Sequence, residues 1–239
     1  YKDRFKEAGD FTFLFVGNIN LEEAKPLIET YLGGLPTINR KENFKDIKLD
    51  IQKGIRKNVF EKKMETPKAT VLNIISGNCP LNLKNNLLMT ILSQTMDMVY
   101  TETIREKEGA SYGVGTVGQI NYPKDEAIFQ IYFDTDPAKR EKMEQIVMTE
   151  LQKVAQDGPR PEHLAKVKEF LLKKHIENAK ENGYWLGQLN NYYWYNTDMN
   201  TNYEQLVNEL TVEDVKNFTK ALLDQGNIIE VTMTAKEAK

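Results

Sequence analysis

The pattern of apolar and polar positions divides the chain into short β-like runs followed by helix-like stripes. Residues 11–16, FTFLFV, form a dense β-branched and aromatic run that predicts a strand. Asn20 then stands where a cap belongs for a helix over 21–32, which Gly33-Gly34 ends, with Pro36 beyond. Residues 37–54 are polar, rich in Lys, Asn and Asp, and read as a surface loop. Residues 56–64 alternate like an edge strand, and 68–76, KATVLNIIS, read as a central one.

Leu83, Leu87, Leu88, Ile91, Leu92, Met96, Val99, Tyr100 and Ile104 share one stripe of a long helix over 82–107, with Gly109 at its C′ position. Strands are predicted at 111–120 and 126–135. Helices follow at 138–156, 162–182, 184–195 (aromatic) and 212–223, the last capped by Thr211, before a final strand at 227–234. The order is β-α-β-β-α-β-β-α-α-α-α-β. Consecutive strands joined by short turns favour antiparallel pairing, so the expected class is α+β, an antiparallel sheet packed against helices on one face. No segment reads as a linker, and residues 1–239 are expected to form one domain. The chain opens at Tyr1 without a methionine and reads as a fragment excised from a longer protein, so a missing leader is uninformative about compartment.

Composition narrows the function. With 239 residues, 40% of them hydrophobic, the chain can bury a real core. A net charge of −3, without basic and aromatic residues interleaved, argues against a nucleic-acid partner. No apolar run approaches the roughly 20 residues that span a bilayer. The one cysteine, Cys79, excludes an internal disulfide or a multi-cysteine metal site and, beside VLNIISG, reads as a buried thiol.

Four features could carry chemistry. Gly113 to Gly118, GVGTVG, matches the dinucleotide fingerprint, but that motif needs a strand before it and a helix after, and the order here is reversed. Close packing of a neighbour on Gly113 and Gly115 is the simpler reading. His163 and His175, the only histidines, are twelve residues apart on one predicted helix, roughly 18 Å along its axis, too far to share a metal, and read as surface residues. The aromatic block around Tyr184, Trp185 and Tyr192–Tyr195 reads as core or subunit-interface packing, with Trp185 buried, over a carbohydrate or peptide platform. Arg105 at the end of the long helix and Tyr112 at the next strand bracket a glycine turn that could bring both side chains to one end of the sheet. They are either a dipole-compatible arginine with a packed tyrosine, or two donors suited to a peptide carbonyl or a developing oxyanion.

Several motifs together are more specific than any alone: F-x-F-V-G-N-I at 13–19, Y-L-G-G-L-P at 31–36, I-R-E-K-E-G-A-S-Y at 104–112, F-D-T-D-P at 133–137, Asp157-Gly158-Pro159 and N-G-Y-W-L at 182–186. With them the chain resembles the C-terminal-type, non-zinc domain of the pitrilysin/insulinase-family zinc peptidases, the inverzincins, in particular their large bacterial members. The resemblance implies a repeated sheet-and-helix fold, with zinc held by H-x-x-E-H and a distant glutamate on another repeat. It implies that Arg105 and Tyr112 bind substrate backbone and help stabilise the tetrahedral intermediate in trans to that zinc. No cofactor or metal is expected in this chain, since it lacks the zinc motif. The implied partners are the zinc-bearing half of the same polypeptide, or a partner subunit, and an unfolded peptide substrate. The implied compartment is the bacterial periplasm or cell envelope. Two other classes stay open: a catalytically dead structural core subunit of the same fold, and a peptide-binding module that works by strand addition.

Overall fold

Helices and strands follow one another as α1 (Lys2–Phe5), α2 (Leu21–Tyr31), β1 (Ile55–Lys62), β2 (Ala69–Asn78) and α3 (Leu83–Tyr100), which runs on as a π-helical segment (Thr101–Lys107). β3 (Val114–Asn121) and β4 (Glu126–Thr135) come next, then a 3-10 turn (Pro137–Lys139) leading into α4 (Arg140–Asp157). α5 (Pro161–Asn178), α6 (Asn182–Tyr195), α7 (Tyr203–Glu209), α8 (Val212–Leu223) and β5 (Asn227–Ala235) complete the order. The computed structural model describes residues 1–43, 45–107 and 113–236, with the backbone alone described for 105–107. These residues divide into two compact units, Tyr1–Asp50 with Ile176–Asn196, and Ile51–His175 with the chain from Thr197 onward.

The second unit contains a five-stranded sheet in the order β1-β5-β2-β4-β3, with helices on one face. All neighbours are antiparallel except β1 and β5, which run parallel. That parallel pair departs from the expected all-antiparallel sheet. Turn lengths predict pairing only between neighbours in sequence, whereas β1 and β5 come from opposite ends of the unit. A second departure is residues 11–16, which form no ladder among the described residues. Strand composition favours a pleated backbone, but a strand exists only where a partner edge is supplied. The short α7 was also not expected from the sequence.

Alternation settles which face of the sheet is buried. Val71, Asn73 and Ile75 of β2 point the same way as Ala127, Phe129, Ile131 and Phe133 of β4, and all are buried. α3 lies along β3 and α8 along β2, with α4 packed against both helices. The stripe read from the sequence is the buried face of α3: Leu87, Leu88, Ile91, Leu92, Met96, Val99 and Tyr100. Asn82 caps this helix by accepting from the amide of Asn85 at 2.8 Å. Tyr100 is wholly buried, and its hydroxyl donates to the Val147 carbonyl of α4 at 3.0 Å, so the one polar atom it brings inside is satisfied. Burial pushes that phenol well above its ordinary pKa.

α8 begins with a capping box between Thr211 and Asp214, and Lys84 of α3 pairs with Asp214 at 2.8 Å. The hydrogen bonds from Lys84 and Thr211 hold the Asp214 carboxyl down, from 3.8 to about 2. Its stabilisation is therefore complete above about pH 4 and is lost as pH falls through about 2.

The glycine run contributes its close approach at Gly118, not at Gly113 or Gly115 as the alternation had implied. A Cβ on Gly118 would stand 2.5 Å from Met89 Sδ and 3.3 Å from the Met89 carbonyl oxygen, whereas one on Gly115 would meet nothing within 4 Å. Met89 is itself buried, so it has little room to move. Gly118→Ala should lower the unfolding free energy by about 1–3 kcal/mol, as overpacked core sites do. Gly115→Ala should stay within about 0.5 kcal/mol. Denaturant titration of the two variants side by side tests this difference.

Candidate functional site

The helix carrying Arg105 does not end as an ordinary α-helix. After Tyr100 the backbone widens into the π-helical segment, anchored by the fully buried Ile104. π-helical turns are rare and cluster at functional sites, because they cost hydrogen-bond geometry that surrounding contacts must offset. Thr101 and Thr103 donate back to the carbonyls of Asp97 and Val99 at 2.8 and 2.7 Å, supporting the transition. Arg105 is in this segment, but its side chain lies outside the described residues, as does the whole of Tyr112.

What the described residues do show is how both flanks of the corner are pinned. On the strand side, Thr116 of β3 donates to Asp97 of α3 through its amide at 2.9 Å, and its hydroxyl stands 2.9 Å from the same carboxylate oxygen. Ser93 joins them, its hydroxyl 2.7 Å from that of Thr116. Asp97 is half-buried, and burial raises its pKa against the opposing pull of the Thr116 bonds. This staple fixes the start of β3 to the last turns of α3.

On the other flank, Glu102 of the π-helical segment pairs with Arg160 and lies 3.0 Å from His163 Nε2, at the start of α5. The Arg160 hydrogen bond holds the Glu102 carboxyl below its usual range. His163 is only 2% exposed, which corrects the expectation of a surface histidine. The sequence did hold the signal: His163 lies on the same stripe as Leu164, Val167 and Leu171, the buried face of α5. His163 Nε2 also stands 2.6 Å from Arg160 Nη2, and its buried Nδ1 has no partner among the described residues. His175 stacks on Tyr203 at 4.2 Å, within the same unit but away from this cluster.

No three His, Cys, Asp or Glu side chains converge as a metal would require among the described residues. Cys79 is half-buried, short of the buried thiol expected, and burial raises its pKa. No helix among the described residues is long and apolar enough to cross a membrane.

The aromatic block corrects another expectation. Trp185 is 39% exposed and Trp194 68%, and α6 has no buried residue. Trp185 still donates its indole N–H to the Ala179 carbonyl at 2.8 Å. Helical spacing indicates that aromatic residues share a surface, but whether that surface is covered depends on what lies opposite.

A family model described as the peptidase M16 inactive domain matches residues 1–171. A zinc protease PQQL-like protein of Arabidopsis thaliana is 23% identical over 203 residues, covering 77% of this chain and 21% of that protein. The periplasmic protease PqqL from Escherichia coli superposes with a TM-score of 0.76 at 17% identity, over 92% of this chain and 25% of its own. A peptidase M16 inactive domain from Pseudomonas fluorescens gives 0.72 at 19% identity, over 93% of this chain and 53% of its own. The chain thus spans about a quarter or less of the first two relatives.

The Glu102 cluster makes a pH-dependent prediction. Because the folded-state pKa lies below the ordinary 4.5, its stabilisation is full above that pH and is lost as pH falls through the lowered value. Glu102→Gln should therefore be less stable than the parent chain at neutral pH, and the gap should close as the solution becomes more acid than about pH 4. Urea unfolding at a series of pH values measures that gap.

Proposed function

Because the chain belongs to the peptidase M16 inactive-domain family, we propose that it is the substrate-binding, non-metal part of a zinc endopeptidase. Its own residues do not fit the zinc. The two histidines lie twelve positions apart on α5, and the Nε2 of His163 is engaged by Glu102. The metal therefore belongs to another part of the polypeptide or to a partner subunit, and this chain's contribution is to bind and orient peptide backbone.

The observation that carries this reading is the doubly anchored corner. Asp97–Thr116 fixes its strand side and Glu102–His163–Arg160 its helix side, with Arg105 on the segment between them. Preorganised donors act most strongly when they need not reorganise as charge develops. In this proposal the Arg105 guanidinium holds a substrate carbonyl through its fixed fork, and the Tyr112 hydroxyl donates to the oxygen that becomes negative during attack. The substrate class is unfolded peptide, and the compartment is the periplasm or cell envelope, in keeping with the periplasmic PqqL neighbour.

In the full-length polypeptide, Tyr112→Phe should lower kcat on the order of 10²–10³-fold while zinc content and melting temperature stay near wild type. Arg105→Ala should raise KM as well. Steady-state kinetics on a good peptide substrate decides it: unchanged kcat/KM in Tyr112→Phe would leave the structural-subunit reading in its place.

A further inference from the structure

Residues 11–16 fall in no helix or strand, and residues 12–16 make no backbone hydrogen bond among the described residues. Apart from Thr12, their side chains are apolar on both sides of the backbone. Phe13 and Phe15 on one side are 45% and 55% exposed, while Leu14 and Val16 on the other are half-buried. A strand apolar on both faces is the pattern of one covered on both faces inside a layered sheet. The helix that follows repeats the anomaly. α2 is capped at 3.0 Å by Asn20 and amphipathic, with Leu21, Ala24, Ile28 and Tyr31 along one stripe, yet it has no buried residue.

From this strand–turn–helix we infer a docking element: residues 11–31 add a strand to an open sheet edge on another domain of the same polypeptide, and α2 covers one face of that sheet. Apolar cover alone is an insufficient partner. Burying Phe13 and Phe15 also buries the adjoining amides and carbonyls, and these need hydrogen bonds that a free strand edge supplies along its whole length. The occupant is therefore a β-sheet edge flanked by apolar surface, not a lipid or a helix.

The case for another domain over a second copy is one of tethering. The chain spans 21–25% of the lengths of the PQQL-like protein and PqqL, leaving most of such a polypeptide beyond these residues. A covalently linked edge is present at an effective concentration that a second molecule does not reach. The inference rests on the reading that this chain is part of a longer peptidase-family protein, but it is independent of any role for Arg105 or Tyr112.

Hydrogen–deuterium exchange tests it, comparing the 239-residue chain with the full-length polypeptide. In the chain alone, amides 12–16 should exchange within about tenfold of unstructured rates at every protein concentration. In the full-length polypeptide they should slow by about a thousandfold or more. Protection in the isolated chain at all concentrations would overturn the inference by showing an internal partner. Protection that grows with concentration would overturn it in favour of a second copy, and exchange that stays fast in the full-length protein would overturn it outright. As a second arm, Phe13→Asp with Phe15→Asp should leave the unfolding of the 239-residue chain's sheet unchanged and abolish the protection in the full-length protein. Exchange does not read activity, so a failure here and a failure of the peptidase kinetics are told apart.

Discussion

The packing of α3 onto the sheet is the contact on which the rest of the second unit depends. One helix face, from Leu87 to Tyr100, packs over β3. Gly118 lets the backbone of β3 come close to Met89, and Tyr100 carries the packing on to α4 through Val147. Burying side chains of this size contributes on the order of 1.5–3 kcal/mol each relative to leaving them exposed. α3 thereby becomes a rigid base, and the π-helical segment leaves from its far end.

Polar contacts then refine what apolar packing has placed. Asp97, Thr116 and Ser93 tie the helix to the strand it feeds, and Glu102, His163 and Arg160 tie the π-helical segment to α5. A buried polar group with its partner contributes modestly, but without one it costs about 1–3 kcal/mol. That asymmetry makes such staples geometric constraints more than sources of stability. The same unit also holds groups with no partner among the described residues: Asn73 Nδ2, Thr95 Oγ1 and His163 Nδ1.

The other unit, residues 1–50 with 176–196, has the opposite character. It shows Phe13, Phe15, Tyr31, Tyr193 and Trp194 to solvent, and its contacts include ion pairs such as Arg40 with Glu42 at 2.5 Å and the ring contact of Phe5 with Phe11. The PQQL-like and PqqL relatives are more than three times as long as this chain.

The sequence by itself determined the elements whose signal is local. Strands at 126–135 and 227–234, the helix over 212–223 with its Thr211 cap, and the long stripe from Leu83 to Ile104 were legible because periodicity and capping act within a few residues. The combined motifs also identified the family and drew attention to Arg105 and Tyr112. Tertiary structure alone decided the rest. β1 and β5 pair in parallel because a sheet edge selects partners across the whole unit, and residues 11–16 form no ladder among the described residues. Trp185 is exposed, although it sits on a helix whose aromatic spacing predicts packing. A helical stripe records which side chains lie on one face; only the packing of other elements determines whether that face meets protein or water.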